Sequence, residues 1–530
     1  MYKARIGKTN FTFQGLTPIR PIRIIESEEI IDSQFSDYLK DESKFTGGKV
    51  QYLAFPETEQ QVSEFLVRMN RQKIPVTVSA GRTGVTGAGI PLSGALMSVE
   101  KMNKILGIRK NEKGEWLIAV QPGVILGDFN KMVEEKDSSL FYPVDVTETS
   151  ARLGGTVSTN ASGSRSFRYG QTRKWVEGLR VVLTNGDVLD IKRGQVFANE
   201  KREFKILLTD NKTLTVKLPE YTMPNVKNAA GYYVKDNMDL IDLFIGSEGT
   251  LGVITEIELK IIKKPENVLL VIAFFPTEND GVEFFLQAKE EFRKEANVFE
   301  YFDENALEIL RKKRKKDGVS SNLPEFPENA NSSIFLELEY TDENLNNLLE
   351  QLEKLLIKHN SSMELTWGGT EKKDIEKVKF LRHALPEAIN ELYSEKKRKC
   401  TAIHKIGTDM VTPIKYLKDI ISYYKKVISN EKLDYAIFGH IGESHLHVNI
   451  FPSTEEELGR AKQLYINFSR KVTQLGGTIS GEHGIGKTKH AYLEVMYGKE
   501  AIRQMVALKK TLDPNCILGR GNIFPEELLI

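Results

Sequence analysis

The stretch with the most chemistry in the fewest positions is Ser480-Gly481-Glu482-His483-Gly484-Ile485-Gly486, which follows Gly476-Gly477 and precedes Lys487. A carboxylate can bind a metal ion, and an imidazole can move a proton near neutral pH. Glycines on both sides let the backbone take positive φ and approach a ligand closely, which an ordinary core strand does not need. A second polar cluster lies upstream, Gly439-His440-Ile441-Gly442-Glu443-Ser444-His445-Leu446-His447. Five of the eight histidines fall between positions 440 and 490, which marks the region as a candidate catalytic centre. The plain alternative is a glycine-rich turn with a capping histidine.

Such side chains need strands and helices to position them. Residues 51–56 read as a short strand stopped by Pro56, and 58–71 as a helix with Val62, Phe65, Leu66 and Met69 on one face. Thr58 is the expected N-cap, supported by Gln61 three residues on. The β-branched run 75–79 passes directly into Ala80-Gly81-Arg82-Thr83-Gly84-Val85-Thr86-Gly87-Ala88-Gly89. A strand opening into a Gly/Thr-rich loop suits a phosphate, because backbone N–H groups turn inward and hydroxyls donate. The spacing matches neither the Walker A pattern nor the Rossmann fingerprint. Asn185-Gly186 between apolar runs predicts a hairpin, and Asp210-Asn211 a second one. From 266 onward the pattern alternates strands (268–275, 333–340) with helices (281–294, 343–359), and a helix over 456–474 leads into the glycine-rich motif. A last helix, 499–512, stops at Asp513-Pro514.

A chain of 530 residues is too long for one core and predicts two or three domains, here of α+β class. The divisions read as a lead-in over 1–45, a ligand-binding domain over 46–264, a second domain over 265–475, and a segment over 476–530 that carries the chemical motif. A net charge of +1 argues against a broad nucleic-acid surface. Two cysteines, Cys400 and Cys516, supply no disulfide framework, so a reducing compartment is expected. No apolar run approaches the ~20 residues of a membrane span. The expectation is a cytoplasmic protein, with peripheral membrane contact left open and no nucleic-acid partner.

Taken together, the 80–89 loop, Gly154-Gly155 with Asn160-Ala161, the segment 246–254, the 439–449 cluster and 480–486 resemble the flavoprotein family of D-lactate dehydrogenase, the glycolate oxidase large subunit and D-2-hydroxyglutarate dehydrogenase. The resemblance runs from about residue 50 to the C-terminus. It implies the vanillyl-alcohol-oxidase-type flavin fold, also called PCMH-type: an FAD-binding domain of two subdomains, a cap on an antiparallel sheet with helices on one face, and a C-terminal helical segment returning to the flavin. By that resemblance Gly81, Arg82, Thr83, Gly84, Val85, Thr86, Gly87 and Ala88 wrap the FAD pyrophosphate. Asp145, Gly154, Gly155, Thr159 and Asn160 line the flavin or its phosphates, and Glu248, Gly249, Gly252 and Ile254 take the adenine and ribose end. The loop carries no His or Cys where some relatives tether flavin, so FAD is expected to be noncovalent.

The resemblance also implies a divalent metal, Zn²⁺ or Mn²⁺, on His440, His447 and Glu482. Seven residues place two side chains on opposite faces of a straight strand, so Gly442 is expected to break it. Where relatives carry Asp-Gly-Asn this chain has Glu443-Ser444-His445, leaving His445 as a substitute ligand, an added ligand or a surface turn residue. Arg382 matches the family's carboxylate-binding arginine, and Lys405 is a weaker second cation. In the tail Leu518-Gly519-Arg520-Gly521-Asn522-Ile523-Phe524 replaces the common Asn-Pro-Gly-Lys, which leaves Arg520 able to face the flavin or substrate. The expected reaction is oxidation of a D-2-hydroxy acid (lactate, glycolate or 2-hydroxyglutarate type) to the 2-oxo acid. His483 takes the hydroxyl proton, hydride passes to flavin N5, and the metal assists. A quinone, a cytochrome or an electron-transfer flavoprotein would re-oxidise the flavin, and a homodimer is compatible. The rivals are an alkylglycerone-phosphate-synthase-like enzyme without net oxidation and a flavin-binding subunit without catalysis.

Overall fold

The computed structural model describes residues 2–3, 21–318, 321, 323 and 325–529. The first sheet has the strand order Arg23–Ile25, Tyr52–Phe55, Ala95–Ser98, Val76–Ser79. Its outer pair is antiparallel and the rest parallel, because helix Glu59–Gln72 carries the chain across between Phe55 and Val76. Thr58 caps that helix by accepting the Gln61 N–H, while the Gln61 side chain accepts the Glu57 N–H. Val62, Phe65, Leu66 and Met69 form its buried stripe. Ser79 then releases the chain at the sheet edge into the glycine-rich loop.

The second sheet is antiparallel, in the order Val188–Lys192, Val176–Val182, Val253–Lys263, Trp116–Val120, Ile105–Lys110. The Asn185-Gly186 turn joins the first two strands, with Gly186 at φ +90°. Asp210-Asn211 turns a smaller ribbon, Glu203–Leu207 against Thr213–Lys217. The core beneath this sheet includes Leu179, Val181, Ile257 and Leu259, all essentially sealed from water.

The third sheet is the largest and wholly antiparallel. It runs Trp367–Gly369, Asn267–Phe275, Ser332–Tyr340, Ala296–Phe302, Tyr435–His440, His445–Ile450, Ile406–Gly407, and Met410–Val411 also pairs with His445–Ile450. Helices Glu278–Glu291, Leu345–Lys358, Leu417–Asn430 and Glu455–Gln474 cover one face. The expectation of helices on one face needs a correction, because Glu304–Asp317 and Lys372–Lys399 pack on the other. The reason lies in the unbroken apolar run of 267–275. Leu269, Val271 and Phe275 face one core and Leu270, Ile272 and Phe274 the other, so both faces require cover.

The C-terminal segment ties the sheets together. Thr478 exchanges both backbone hydrogen bonds with Val411 at the edge of the third sheet, and Leu518 bridges Val76 of the first. Between them lies helix His490–Leu512, broken at Gly498. Its last turn is fastened by Lys509, whose buried ammonium donates to Asp513 Oδ2 (2.8 Å), Thr250 O (2.9 Å) and Leu518 O (2.8 Å). Removing one partner of such a pair strands the other in the core, at a cost of about 3–5 kcal/mol. Lys509→Met should therefore lower the urea midpoint markedly, and an unchanged midpoint would show that the tail is held by packing alone.

Candidate active site

A cavity of about 340 Å³ opens between the first two sheets and the 480–486 loop. Gly81, Arg82, Thr83, Gly84, Val85, Thr86 and Ala88 line it from the loop after the first sheet, and Gly154, Gly155 and Thr159 from helix Leu153–Thr159. Glu248, Gly249 and Gly252 line it from the turn before strand Val253–Lys263 of the second sheet, Ile254 from that strand, and Glu482 and His483 close one end. Three expected residues stand elsewhere. Gly87 turns at φ +74° against Phe45. Asn160 takes φ +51° at the helix end, and its side-chain oxygen accepts the Arg173 N–H. Asp145 accepts from Ser164 Oγ at 2.8 Å and faces Arg382. Gly154 and Gly252 are also needed for packing, since a Cβ would sit 2.5 Å from Pro122 Cβ and 2.4 Å from Val181 Cγ1.

The cavity walls fit a dinucleotide. Ser79 Oγ and Arg82 Nη1 are buried polar atoms on the wall without a hydrogen-bond partner among the described residues, and so await an acceptor. The second wall is held by Glu248, whose two oxygens accept the N–H groups of Ile485 (2.8 Å) and Gly486 (2.7 Å). Burial nevertheless pushes its carboxyl up to about 7. Gly486 sits at φ +51° with its Cα against Thr86 O, and Lys487 N–H donates to that oxygen at 2.8 Å. The 480–487 loop thus rests directly on the phosphate-type loop.

The end of the cavity that carries Glu482 and His483 is organised by Asp409, which sequence reasoning did not single out. It sits at the edge of the third sheet, fully buried, and accepts from Glu482 N–H (3.1 Å), His483 N–H (3.0 Å), Ser480 Oγ (2.6 Å), Lys489 Nζ (2.9 Å) and His445 Nε2 (3.1 Å). Burial alone would raise its carboxyl, but His483, Lys489 and His445 hold it well below the usual range. Its Oδ2 also lies 3.5 Å from His483 Nδ1. The His483 ring stays partly exposed on the cavity wall, and burial keeps it below its ordinary value, neutral at pH 7.

The histidines converge because the strand is interrupted at Gly442, as expected: Tyr435–His440 ends in a one-turn helix Ile441–Glu443, Ser444 takes φ +54°, and His445–Ile450 returns antiparallel. The register pairs His440 with His445 and Phe438 with His447, so all three imidazoles share one face. Their rings lie 4.5–5.5 Å apart, and their nitrogens and a Glu482 oxygen all fall within 4.8 Å of one another. His445 is sealed from solvent, which excludes the surface-turn reading.

Each imidazole has one nitrogen held by an oxygen, as metal ligands require. Glu300 Oε1 holds His440 Nδ1 (2.9 Å), Asp409 holds His445 Nε2, and Thr408 O holds His447 Nδ1 (3.0 Å). His445 Nδ1 has no partner among the described residues. This donor set fits a divalent ion of Zn²⁺ or Mn²⁺ type. Without one, burial would lower His440, but Glu300 and Glu482 raise it to about 9; burial and the neighbouring imidazoles take His447 down to about 3.

Lys227 is a further residue missed in the sequence. Its buried ammonium lies 2.5 Å from Glu482 Oε1, 3.0 Å from Glu443 Oε2 and 2.7 Å from Ser166 Oγ. Nothing in the run Val226-Lys227-Asn228-Ala229 distinguishes it from a surface lysine. Arg382 Nε stands 3.3 Å from Glu300, which connects it to His440. Burial would raise the Glu300 carboxyl, but His440 and Arg382 hold it at about 2. Lys405 is exposed and reaches Asn390, and Arg520 folds back onto Cys516 O at 2.7 Å; neither lines the cavity.

Residues 50–192 match the family model described as FAD binding domain, and residues 264–523 match FAD linked oxidases, C-terminal domain. D-lactate dehydrogenase of Anaerostipes hadrus is 30% identical over 95% of this chain and 95% of its own length. D-2-hydroxyglutarate dehydrogenase of Stutzerimonas stutzeri (strain A1501) is 28% identical over 96% and 97%. Among solved structures, p-cresol methylhydroxylase with substrate bound superposes with a TM-score of 0.66 at 15% identity, covering 95% of this chain and 94% of that one.

Two glycines separate what the fold needs from what a ligand needs. A methyl at Gly486 would lie 2.1 Å from Thr86 O, whereas one at Gly84 meets no protein atom within 4 Å. Gly486→Ala should lower both flavin content and the melting temperature of the flavin-free protein. Gly84→Ala should leave that melting temperature unchanged, any loss being confined to flavin binding. Equal melting temperatures for the two variants would contradict the loop-on-loop contact.

Proposed function

The chain belongs to the family of FAD-linked oxidases and is an oxidoreductase; on that premise we propose that it oxidises a small D-2-hydroxy acid to the 2-oxo acid. In this reading residues 46–264 hold the flavin, 265–475 form the cap, and 476–530 return to the flavin site. FAD is held without a covalent bond, and when bound it supplies the acceptor of the substrate's electron pair. The observation that carries the reading is the position of His483: it stands on the flavin-cavity wall, beside the histidine–glutamate group and backed by a buried carboxylate.

The residues divide the work. Neutral His483 accepts the hydroxyl proton of the substrate, and Asp409 stabilises the imidazolium that results. Arg382 offers guanidinium donors to the substrate carboxylate, its own position fixed by Glu300. His440, His445, His447 and Glu482 would hold the divalent metal, whose charge lowers the pKa of a bound hydroxyl. The D-configuration and the 2-hydroxy acid class rest on the relatives' names, and the metal on the geometry of the histidine–glutamate group. An external acceptor such as a quinone, a cytochrome or an electron-transfer flavoprotein would complete the cycle.

The test is anaerobic mixing of the purified flavoprotein with D-lactate, glycolate and D-2-hydroxyglutarate. At least one should bleach the flavin absorbance, and flavin that stays oxidised with the whole panel would overturn the proposal. With an acid that works, His483→Ala should slow bleaching by roughly two to four powers of ten while metal and flavin contents stay near the parent's.

A further inference from the structure

Behind the catalytic loop lies a second cavity of about 350 Å³ that shares no lining residue with the flavin cavity. It opens between the segment following helix Leu153–Thr159 and the segment 223–235. Four cations line it, Arg173, Lys174, Arg193 and Lys235, against a single carboxylate, Asp242. That carboxylate is already shared, since one oxygen lies 3.3 Å from Arg173 Nη1 and 3.2 Å from Arg193 Nη2. Lys174 and Lys235 have no carboxylate within ion-pairing distance among the described residues; each instead lies 5.5 Å from an aromatic ring, Trp175 and Tyr233 respectively. Arg173 stacks 4.0 Å from the centre of the same Tyr233 ring, and its buried Nε has no hydrogen-bond partner among the described residues. The guanidiniums are otherwise engaged, Arg173 with Asp242 O and Ile245 O and Arg193 with Val176 O and Arg173 O. The charge open to a ligand is therefore that of Lys174 and Lys235 beside the Arg173 Nε edge, and ammonium groups around a concave space suit carboxylate or phosphate oxygens.

We propose that this cavity binds a small organic or inorganic polyanion, carrying carboxylate or phosphate groups, that is neither the flavin nor the oxidised substrate. The space is larger than one phosphate requires and lies at the lower end of the range for small-molecule sites, about 300–1,000 Å³. Two of its walls touch the catalytic loop. Gln171 Nε2 donates to Gly481 O at 3.0 Å, and Asn228 Oδ1 accepts from Thr478 Oγ1 at 2.6 Å. An occupant that orders those two side chains therefore also holds the backbone that leads to Glu482 and His483.

The holoprotein should be titrated in a calorimeter with citrate and, separately, with pyrophosphate, at constant ionic strength. One probe should bind at a single site with Kd below about 1 mM, and which one binds distinguishes carboxylate from phosphate recognition. Lys174→Glu and Lys235→Glu replace exposed rim residues away from the flavin cavity. Each should weaken binding by about tenfold or more, with flavin content and unliganded flavin-reduction rate unchanged. No binding of either probe up to about 10 mM, or binding indifferent to both substitutions, would overturn the proposal.

Discussion

The centre depends on one buried charge. A carboxylate with no solvent exposure is costly unless its oxygens are fully occupied, and Asp409 meets that condition with five donors from four parts of one short loop and one histidine. The same bonds fix three separate requirements: the backbone of Glu482 and His483, the orientation of the His445 ring, and the approach of Lys489. A neutral side chain at 409 could satisfy some of these donors but would leave the Lys489 ammonium without its buried counter-charge.

The topology explains why the site falls where it does. The histidine hairpin belongs to the third sheet and the phosphate-type loop to the first, so neither can complete a centre alone. The C-terminal segment closes the gap: it leaves the third sheet at Thr478, crosses the cavity mouth as the 480–487 loop, and ends alongside Val76 in the first sheet. Ion pairs follow the same seam. Arg165 of the flavin side grips Glu337 of the third sheet through two hydrogen bonds, and Lys227 reaches across to Glu443.

Local physics was legible in the sequence and long-range convergence was not. The cap on Thr58, the Asn185-Gly186 turn and the leucine stripe of 345–358 follow from periodicity and turn chemistry, which act over a few residues. The glycine-rich stretches pointed to the cavity because close backbone approach leaves a compositional trace. Asp409 and Lys227 leave none: each is an ordinary charged residue until the fold brings it to partners 36 to 255 positions away along the chain. The break at Gly442 was legible from the spacing of His440 and His447, but the tight antiparallel return that buries His445 beside them was not, since it depends on the left-handed Ser444. The two-faced third sheet was readable in principle, since an apolar run without alternation asks for cover on both sides.

Asp409→Asn offers the most direct measurement of the central claim, because it keeps the volume and removes the charge. The variant should be less stable, because Lys489 loses its buried counter-charge, but should still bind flavin, since most of the cavity wall lies on segments that Asp409 does not touch. Flavin reduction by an active D-2-hydroxy acid, followed anaerobically by stopped flow, should then be slowed about as much as by loss of His483 itself. Reduction at the parent rate, in a variant with normal flavin content, would contradict the account and leave Asp409 as a purely structural contact.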